Sequence, residues 1–491
     1  MPPHGGGTRP AASATSAATA ATAASPADYT LPASTTLQRG LARAWLWLAL
    51  AALVGSGLFS VLLVLARTPG INAWLPAGDF FRVALVVHVD LSVGVWFVAM
   101  AGLLWSLNMR APRSALALAW ARLPIVLCAA GALGMALAAF VDPGQPVMAN
   151  YIPVLDSLTF RGALAVFGAG TLALVGLALL RARPIGTAPD GAGALRFGLH
   201  ASVVAMAVAL LAFGWSLAVV PAALPARTYY EVLWWGGGHA LQFTWTLLML
   251  VAWLALAHAS GARVPLSPRI VMLMFTVALV SVFITPLAYL MHDVGTVEHR
   301  DMHTWGMRFG GGVAIVPLVL AVGLALFASR GQALAPEARP QRAALLTSMM
   351  LFVAGGLIGL TIGGSNVKIP AHYHGCIVGV TLALMGLAYR LLPMLGYAPV
   401  QGRMATVQPW LYGGGQLLHI VGLVWSGGYG VQRKVAGTEQ VLRSTAEVAG
   451  MGLMGLGGLL AIAGGLLFVV VVARAMRGHR PQNARAMGLT P

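Results

Sequence analysis

Apolar residues in this chain come in long unbroken runs. Runs of about 20 residues, each enough to cross roughly 30 Å of hydrocarbon, recur from one end to the other. They begin near Ala42, Val83, Ala115, Gly162, Phe197, Leu233, Ile270, Phe309, Ala343, Ala371, Pro409 and Gly450. The pattern predicts an all-α, polytopic membrane protein of about twelve transmembrane helices. The short alternating segments of a membrane β-barrel do not appear. Polar residues collect between the runs as short loops. The longest of these on the outward side are roughly 142–160, 292–307 and 428–449.

Composition agrees. Of 491 residues 58% are hydrophobic and 9% charged, with a mean hydropathy of +0.82, too little charge for a soluble surface. A net charge of +17 would suit a nucleic-acid partner, but its distribution argues against one. Numbered from a cytoplasmic N-terminus, the inward loops receive Arg39, Arg43, Arg110, Arg113, Arg181, Arg183, Arg263, Arg330, Arg403 and Arg474, among others. The outward loops hold most of the acids: Asp79, Asp142, Asp156, Glu231, Asp293, Glu298, Asp301, Glu439 and Glu447. This is the positive-inside bias of a bacterial inner-membrane protein with both termini cytoplasmic. Residues 1–37, rich in Ala, Thr, Ser, Pro and Gly with no signal-like stretch, read as a disordered tail. Residues 38–476 form the transmembrane domain, and 477–491 a short basic tail. The two cysteines, Cys128 and Cys376, fall within spans and frame no disulfide. No C-x-x-C-H motif for covalent haem occurs.

Ionisable residues inside a bilayer are expensive, so His88, His239, His292, Asp293, His372 and His374 carry the functional reading. Taken singly, each could equally be a hydrogen-bonded core group. His372 and His374 constrain most. At roughly 100° per residue, positions i and i+2 on a helix point about 200° apart. The two imidazoles cannot share one metal, but they can serve cofactors on opposite faces of the tenth span. A pair of imidazoles makes a low-spin, electron-transfer haem, whereas one imidazole with an open position binds a gas. His88, at matching depth in the second span, is the natural partner for one of these haems. His239, in Trp234-Trp235-Gly236-Gly237-Gly238-His239, together with His292 and Asp293 at the end of the seventh span, suits a nitrogen- and oxygen-ligated iron or copper. His299 and His303 flank the loop above that metal. His419, inside the eleventh span, reads as a packing residue or a quinone contact.

The segment Ala371-His372-Tyr373-His374, continuing through Gly379, Met385-Gly386 and Leu391-Leu392-Pro393-Met394-Leu395-Gly396-Tyr397, resembles the tenth helix of haem–copper oxidase subunit I. The resemblance spans about residues 40–475. It implies two haems, both expected to be b-type. His372 would hold the high-spin haem, while His374 and His88 hold the low-spin one. His239 falls at the sixth-helix ligand to a non-haem metal, and Arg433-Lys434 resembles the basic pair that holds haem propionates. A periplasm-facing redox subunit, of cytochrome c or cupredoxin type, is implied as electron donor. The substrate would be a small gas.

The sequence departs from that family in two places. Where the family has a His-His pair, this chain reads His292-Asp293. Where oxidases commonly carry a tyrosine, four residues after His239, it has Phe243. Gln242 is adjacent but on another helical face, and Tyr289 lies one turn before His292. Without a tyrosine donor, and with Asp293 supplying a carboxylate, the residues favour a divergent nitric oxide reductase. Reduction of dioxygen to water is the alternative. Only two lysines occur, Lys368 and Lys434, both predicted outside the spans. Glu231, Glu298 and Asp301 would therefore admit protons from the outward side. Two rival classes remain: a transporter with intramembrane histidines would carry no haem, and a dihaem electron carrier would carry no third metal.

Overall fold

The computed structural model describes residues 28–31, 34–72, 78–186 and 190–478; the outer parts of both predicted tails lie outside these. Among the described residues the chain forms twelve long helices: α1 (Thr36–Arg67), α2 (Phe80–Asn108), α3 (Ala115–Val141), α4 (Leu158–Leu180), α5 (Gly191–Val219), α6 (Ala226–Ala259), α7 (Pro268–Met291), α8 (Val297–Ala328), α9 (Ala338–Gly359), α10 (Lys368–Leu391), α11 (Arg403–Gly428) and α12 (Thr445–Arg477). Eleven are long and apolar enough to cross a membrane; α11 is long enough but more polar. Most helices begin a turn or more before the first apolar residue of the run, and several are started by capping side chains. Thr35 and Gln38 form a reciprocal capping box at α1. The side chains of Ser114, Ser157, Asp190, Ser267 and Ser444 accept from the first-turn amides of α3, α4, α5, α7 and α12. Ahead of α1, Tyr29 is buried and its hydroxyl donates to the Leu266 carbonyl at 2.8 Å.

Burial ranks the helices. Within their apolar windows, 83% of α6 and 78% of α10 is buried, against 28% of α7 and 33% of α4. The helices that carry His239, His372 and His374 therefore run through the centre, and the others face lipid on one side. Close approach is made by small residues, as membrane helix packing requires. A Cβ on Gly415 of α11 would stand 2.5 Å from the Ala461 backbone nitrogen of α12, and one on Gly355 of α9 would stand 2.6 Å from the Cys376 nitrogen of α10. Buried polar side chains are tied across helices: Trp105 Nε1 donates to Ser202 Oγ at 2.9 Å, and Trp253 Nε1 to Ser348 Oγ at 2.8 Å.

Two local irregularities bear on the site. Helix α2 widens into a π-helical segment, Asp90–Val95, just after His88, a distortion often found beside functional groups. Between α3 and α4 a short antiparallel hairpin, β1 (Gln145–Val147) and β2 (Val154–Asp156), pairs Pro146 with Leu155. The segment 292–307, expected as a loop, instead turns into helix at Val297, with Thr296 as its cap. Its polar residues hid a helix whose inner face is buried at His299, His303 and Gly306.

Candidate functional site

The two α10 histidines face different neighbours, as their spacing requires. His372 packs against Gly359 of α9, and its Nδ1 lies 2.8 Å from the Gly355 carbonyl. The His374 ring lies 5.1 Å from that of His419 on α11, and its Nδ1 is 2.8 Å from the Pro370 carbonyl. His88 places Nδ1 3.0 Å from the Ser56 carbonyl of α1. A carbonyl only accepts, so each Nδ1 carries the proton and each Nε2 presents a lone pair. Among the described residues no hydrogen bond engages Nε2 of His88, His372 or His374. Fixing the far nitrogen on a carbonyl is how proteins orient an imidazole toward a metal. These three fit axial haem ligation.

His239 likewise has Nδ1 2.7 Å from a carbonyl, that of Trp235, but its Nε2 lies 3.0 Å from the Tyr151 hydroxyl. Its neighbours come from α8. The His303 ring centre lies 6.0 Å from that of His239 and 4.6 Å from that of His299. His299 and His303 are 1% and 3% exposed. His303 Nδ1 donates to the His299 carbonyl at 2.8 Å, while His303 Nε2 and both His299 ring nitrogens have no hydrogen-bond partner among the described residues. Three buried, unpaired nitrogens are costly unless something binds them, so these residues suit a non-haem metal. Around a tetrahedral ion, imidazole centres stand about 5 Å apart. The His239–His303 pair is more open than that and the His299–His303 pair slightly tighter, and among the described residues no group of three His, Cys, Asp or Glu is drawn to metal-holding distance.

His292 and Asp293 do not join this cluster. His292 caps the end of α7, half-buried, within charge range of His299. The Asp293 side chain is exposed, and its backbone carbonyl accepts from the Thr296 hydroxyl at 2.8 Å. The chain turns outward at the end of α7 and returns through α8, so the inward-facing imidazoles come from α8.

Two tyrosines border the cluster. Tyr289 sets its ring edge-on to His299 at 4.7 Å and to His303 at 5.6 Å, with its hydroxyl 2.7 Å from Ser216 Oγ. Tyr151, at the hairpin tip, has its hydroxyl 3.0 Å from each ring nitrogen of His239. Its backbone is left-handed, with φ 68°, and Gly238 permits the approach, since a Cβ there would strike the Tyr151 ring. Burial pushes the Tyr151 phenol well above its ordinary range, so it is a hydrogen donor.

A basic rim closes one end of the site. Lys434, also left-handed at φ 65°, donates to the Met148 carbonyl at 2.5 Å, and Arg433 reaches Asn150 Oδ1 at 3.4 Å. Burial lowers the Lys434 pKa from 10.5 to about 8, aided by Arg433, with Glu231 opposing. Arg67, at the end of α1, lies within charge range of Tyr373 and His374. A cleft of about 320 Å³, lined by Glu231, Arg227, Trp235, Arg300 and His299, opens beside the cluster. Glu298 and Asp301 point to the exposed side of α8.

Sequence reasoning assigned His299 and His303 to a loop, although their i, i+4 spacing was a usable signal. It gave Tyr151 no role, because a hairpin contact leaves no periodic trace.

The sequence profile described as cytochrome C and quinol oxidase polypeptide I matches residues 40–467. Among curated proteins, an uncharacterized protein of Rickettsia prowazekii (strain Madrid E) is 27% identical over 500 residues, covering 89% of this chain and 96% of that one. An uncharacterized protein of Aquifex aeolicus (strain VF5) is 27% identical, covering 74% and 88%. Cytochrome c oxidase subunit 1 of Thermus thermophilus is 30% identical over 104 residues, 19% of this chain and 96% of that sequence. A solved haem–copper terminal oxidase dimer aligns with a TM-score of 0.69 at 16% identity, covering 90% of this chain and 84% of that one, a likeness of fold.

Proposed function

The chain belongs to the cytochrome c and quinol oxidase polypeptide I family, and from that premise we propose that it is a terminal reductase subunit whose substrate is dioxygen. His88 and His374 hold a low-spin haem, His372 a high-spin haem, and His239, His299 and His303 a copper or iron ion. When bound, these groups supply electrons and a place for the gas to be reduced. The protein's own part is orientation and proton handling. Backbone carbonyls of Ser56, Gly355, Pro370, Trp235 and His299 fix the imidazoles. Arg433, Lys434 and Arg67 offer positive charge to propionates at the outward rim. Glu231 lines the cleft beside His299, at the mouth through which protons would enter.

The observation that carries the choice of gas is the Tyr151 hydroxyl, 3.0 Å from His239. Splitting dioxygen in one step calls for an electron and a proton beyond those on the metals, and a protonated phenol at a metal ligand provides both. The carboxylate that would have favoured nitric oxide, Asp293, is exposed. The nitric oxide reading rests on Phe243, buried one turn after His239, which leaves α6 itself without a phenol. Turnover of the two gases by the purified protein, measured side by side with metal quantitation, separates them. Rapid dioxygen consumption is expected, and nitric oxide turnover without it would reverse the assignment.

We place the protein in a bacterial inner membrane with both ends cytoplasmic, on the arginine asymmetry of its loops. Its donor is a periplasmic cytochrome c or cupredoxin, since the sequence carries no covalent haem motif of its own.

A further inference from the structure

His419 of α11 is used by none of the roles above, yet its surroundings are not those of a packing residue. It is 9% exposed, and its Nδ1 lies 3.0 Å from the Met454 carbonyl of α12. That carbonyl can only accept, so the proton sits on Nδ1 and Nε2 is a lone pair. Packing between α11 and α12 is therefore satisfied by Nδ1 alone. Among the described residues no hydrogen bond engages Nε2. A neutral imidazole in this tautomer cannot donate from Nε2 to a propionate or a quinone carbonyl. It can accept a hydrogen bond or bind a metal.

Its position narrows this further. The His419 ring lies 5.1 Å from that of His374, tilted 47°, and His88 is within charge range of both. Imidazoles gripping one iron from opposite faces have ring centres each roughly 3 Å from the metal, about 6 Å apart in all. His374 and His419 are closer than that, too close to grip one iron from opposite faces, and His88 is the third imidazole within charge range. His88, His374 and His419 share one preparation: Nδ1 tied to a carbonyl, Nε2 free.

We propose that His419 is a reserve axial ligand of the low-spin haem, able to replace His374 on the same face. The exchange breaks one iron–Nε2 bond and makes another. No proton or electron moves, because both imidazoles are already Nδ1-protonated. The proposal rests on the haem assignment to His88 and His374.

The test compares purified wild-type protein, His374→Ala, His419→Ala and the double variant, by optical spectrum and electron paramagnetic resonance. Expected are an intact low-spin signal in His419→Ala, a shifted but still six-coordinate low-spin signal in His374→Ala, and its loss in the double variant. High-spin haem content serves as the folding control in all four. Loss of the low-spin signal in His374→Ala to the same extent as in the double variant would overturn the proposal. So would its loss in His419→Ala alone, which would make His419 a resident ligand. Absence of haem from the wild type is a separate failure, that of the haem assignment itself.

Discussion

The Tyr151 hydroxyl and the His239 imidazole meet at 3.0 Å across 88 positions of sequence, one residue on a loop outside the helices and the other on the most buried span. A hairpin of two three-residue strands thus delivers a phenol to His239, which α6 itself does not provide with one. The relation is what supports the dioxygen proposal, since it puts beside His239 a hydroxyl that Phe243 cannot supply.

Tyr151→Phe keeps the ring and its packing on Gly238 while deleting the hydroxyl. Haem and metal content are expected to match the wild type, with dioxygen turnover lowered by about 10²-fold or more, the usual size of a lost positioned proton donor. Nitric oxide turnover, if any is present, should be little changed. Full dioxygen activity in this variant would take Tyr151 out of the chemistry.

The metal assignment separates α8 from the end of α7. His303→Ala should lose the non-haem metal in elemental analysis while both haem signals persist, because His303 touches His239 and His299 and neither α10 histidine. Asp293→Ala, at an exposed position, should keep the metal at wild-type stoichiometry. The reverse outcome, metal lost with Asp293 and kept without His303, would restore the ligand set read from sequence.

Membrane spans were legible because apolar run length is a one-dimensional signal, and the opposed facing of His372 and His374 followed from helix geometry alone. What stayed hidden had polar residues turned inward. Residues 297–310 carry Glu298, Arg300, Asp301 and Arg308 on the outside with His299 and His303 buried, and by hydropathy such a helix resembles a loop. Tyr151 and His419 were hidden for another reason: their partners, Gly238 and Met454, are close only after folding.

Lys434 should leave a pH signature. Its folded pKa, about 8, lies below its ordinary 10.5, so between those values the unfolded chain binds the proton more readily than the folded one. Stability contributed by this group therefore rises as pH climbs from about 8 toward 10.5, and the cost of burying the charge is fully present below about 8. Thermal unfolding in detergent, compared between wild type and Lys434→Met over that window, should show a shallower rise for the variant. Parallel curves would mean the ammonium is better solvated than its contacts with Met148 and Asn150 indicate.

Gly355 links helix packing to ligand orientation, because the residue that lets α9 approach α10 also holds His372 through its carbonyl. Gly355→Val places side-chain atoms against the Cys376 nitrogen and the Gly375 backbone, which cannot rotate away. Overpacking of this kind costs about 1–3 kcal/mol, relieved by parting the two helices and drawing the carbonyl off Nδ1. The expected result is a folded protein whose high-spin haem binds carbon monoxide weakly or with an altered spectrum. Its low-spin bands should hold, since His374 takes its carbonyl from Pro370 on its own helix. Equal damage to both haems would mean that α10 shifts as a rigid body, and that the Gly355 carbonyl has no separate hold on His372.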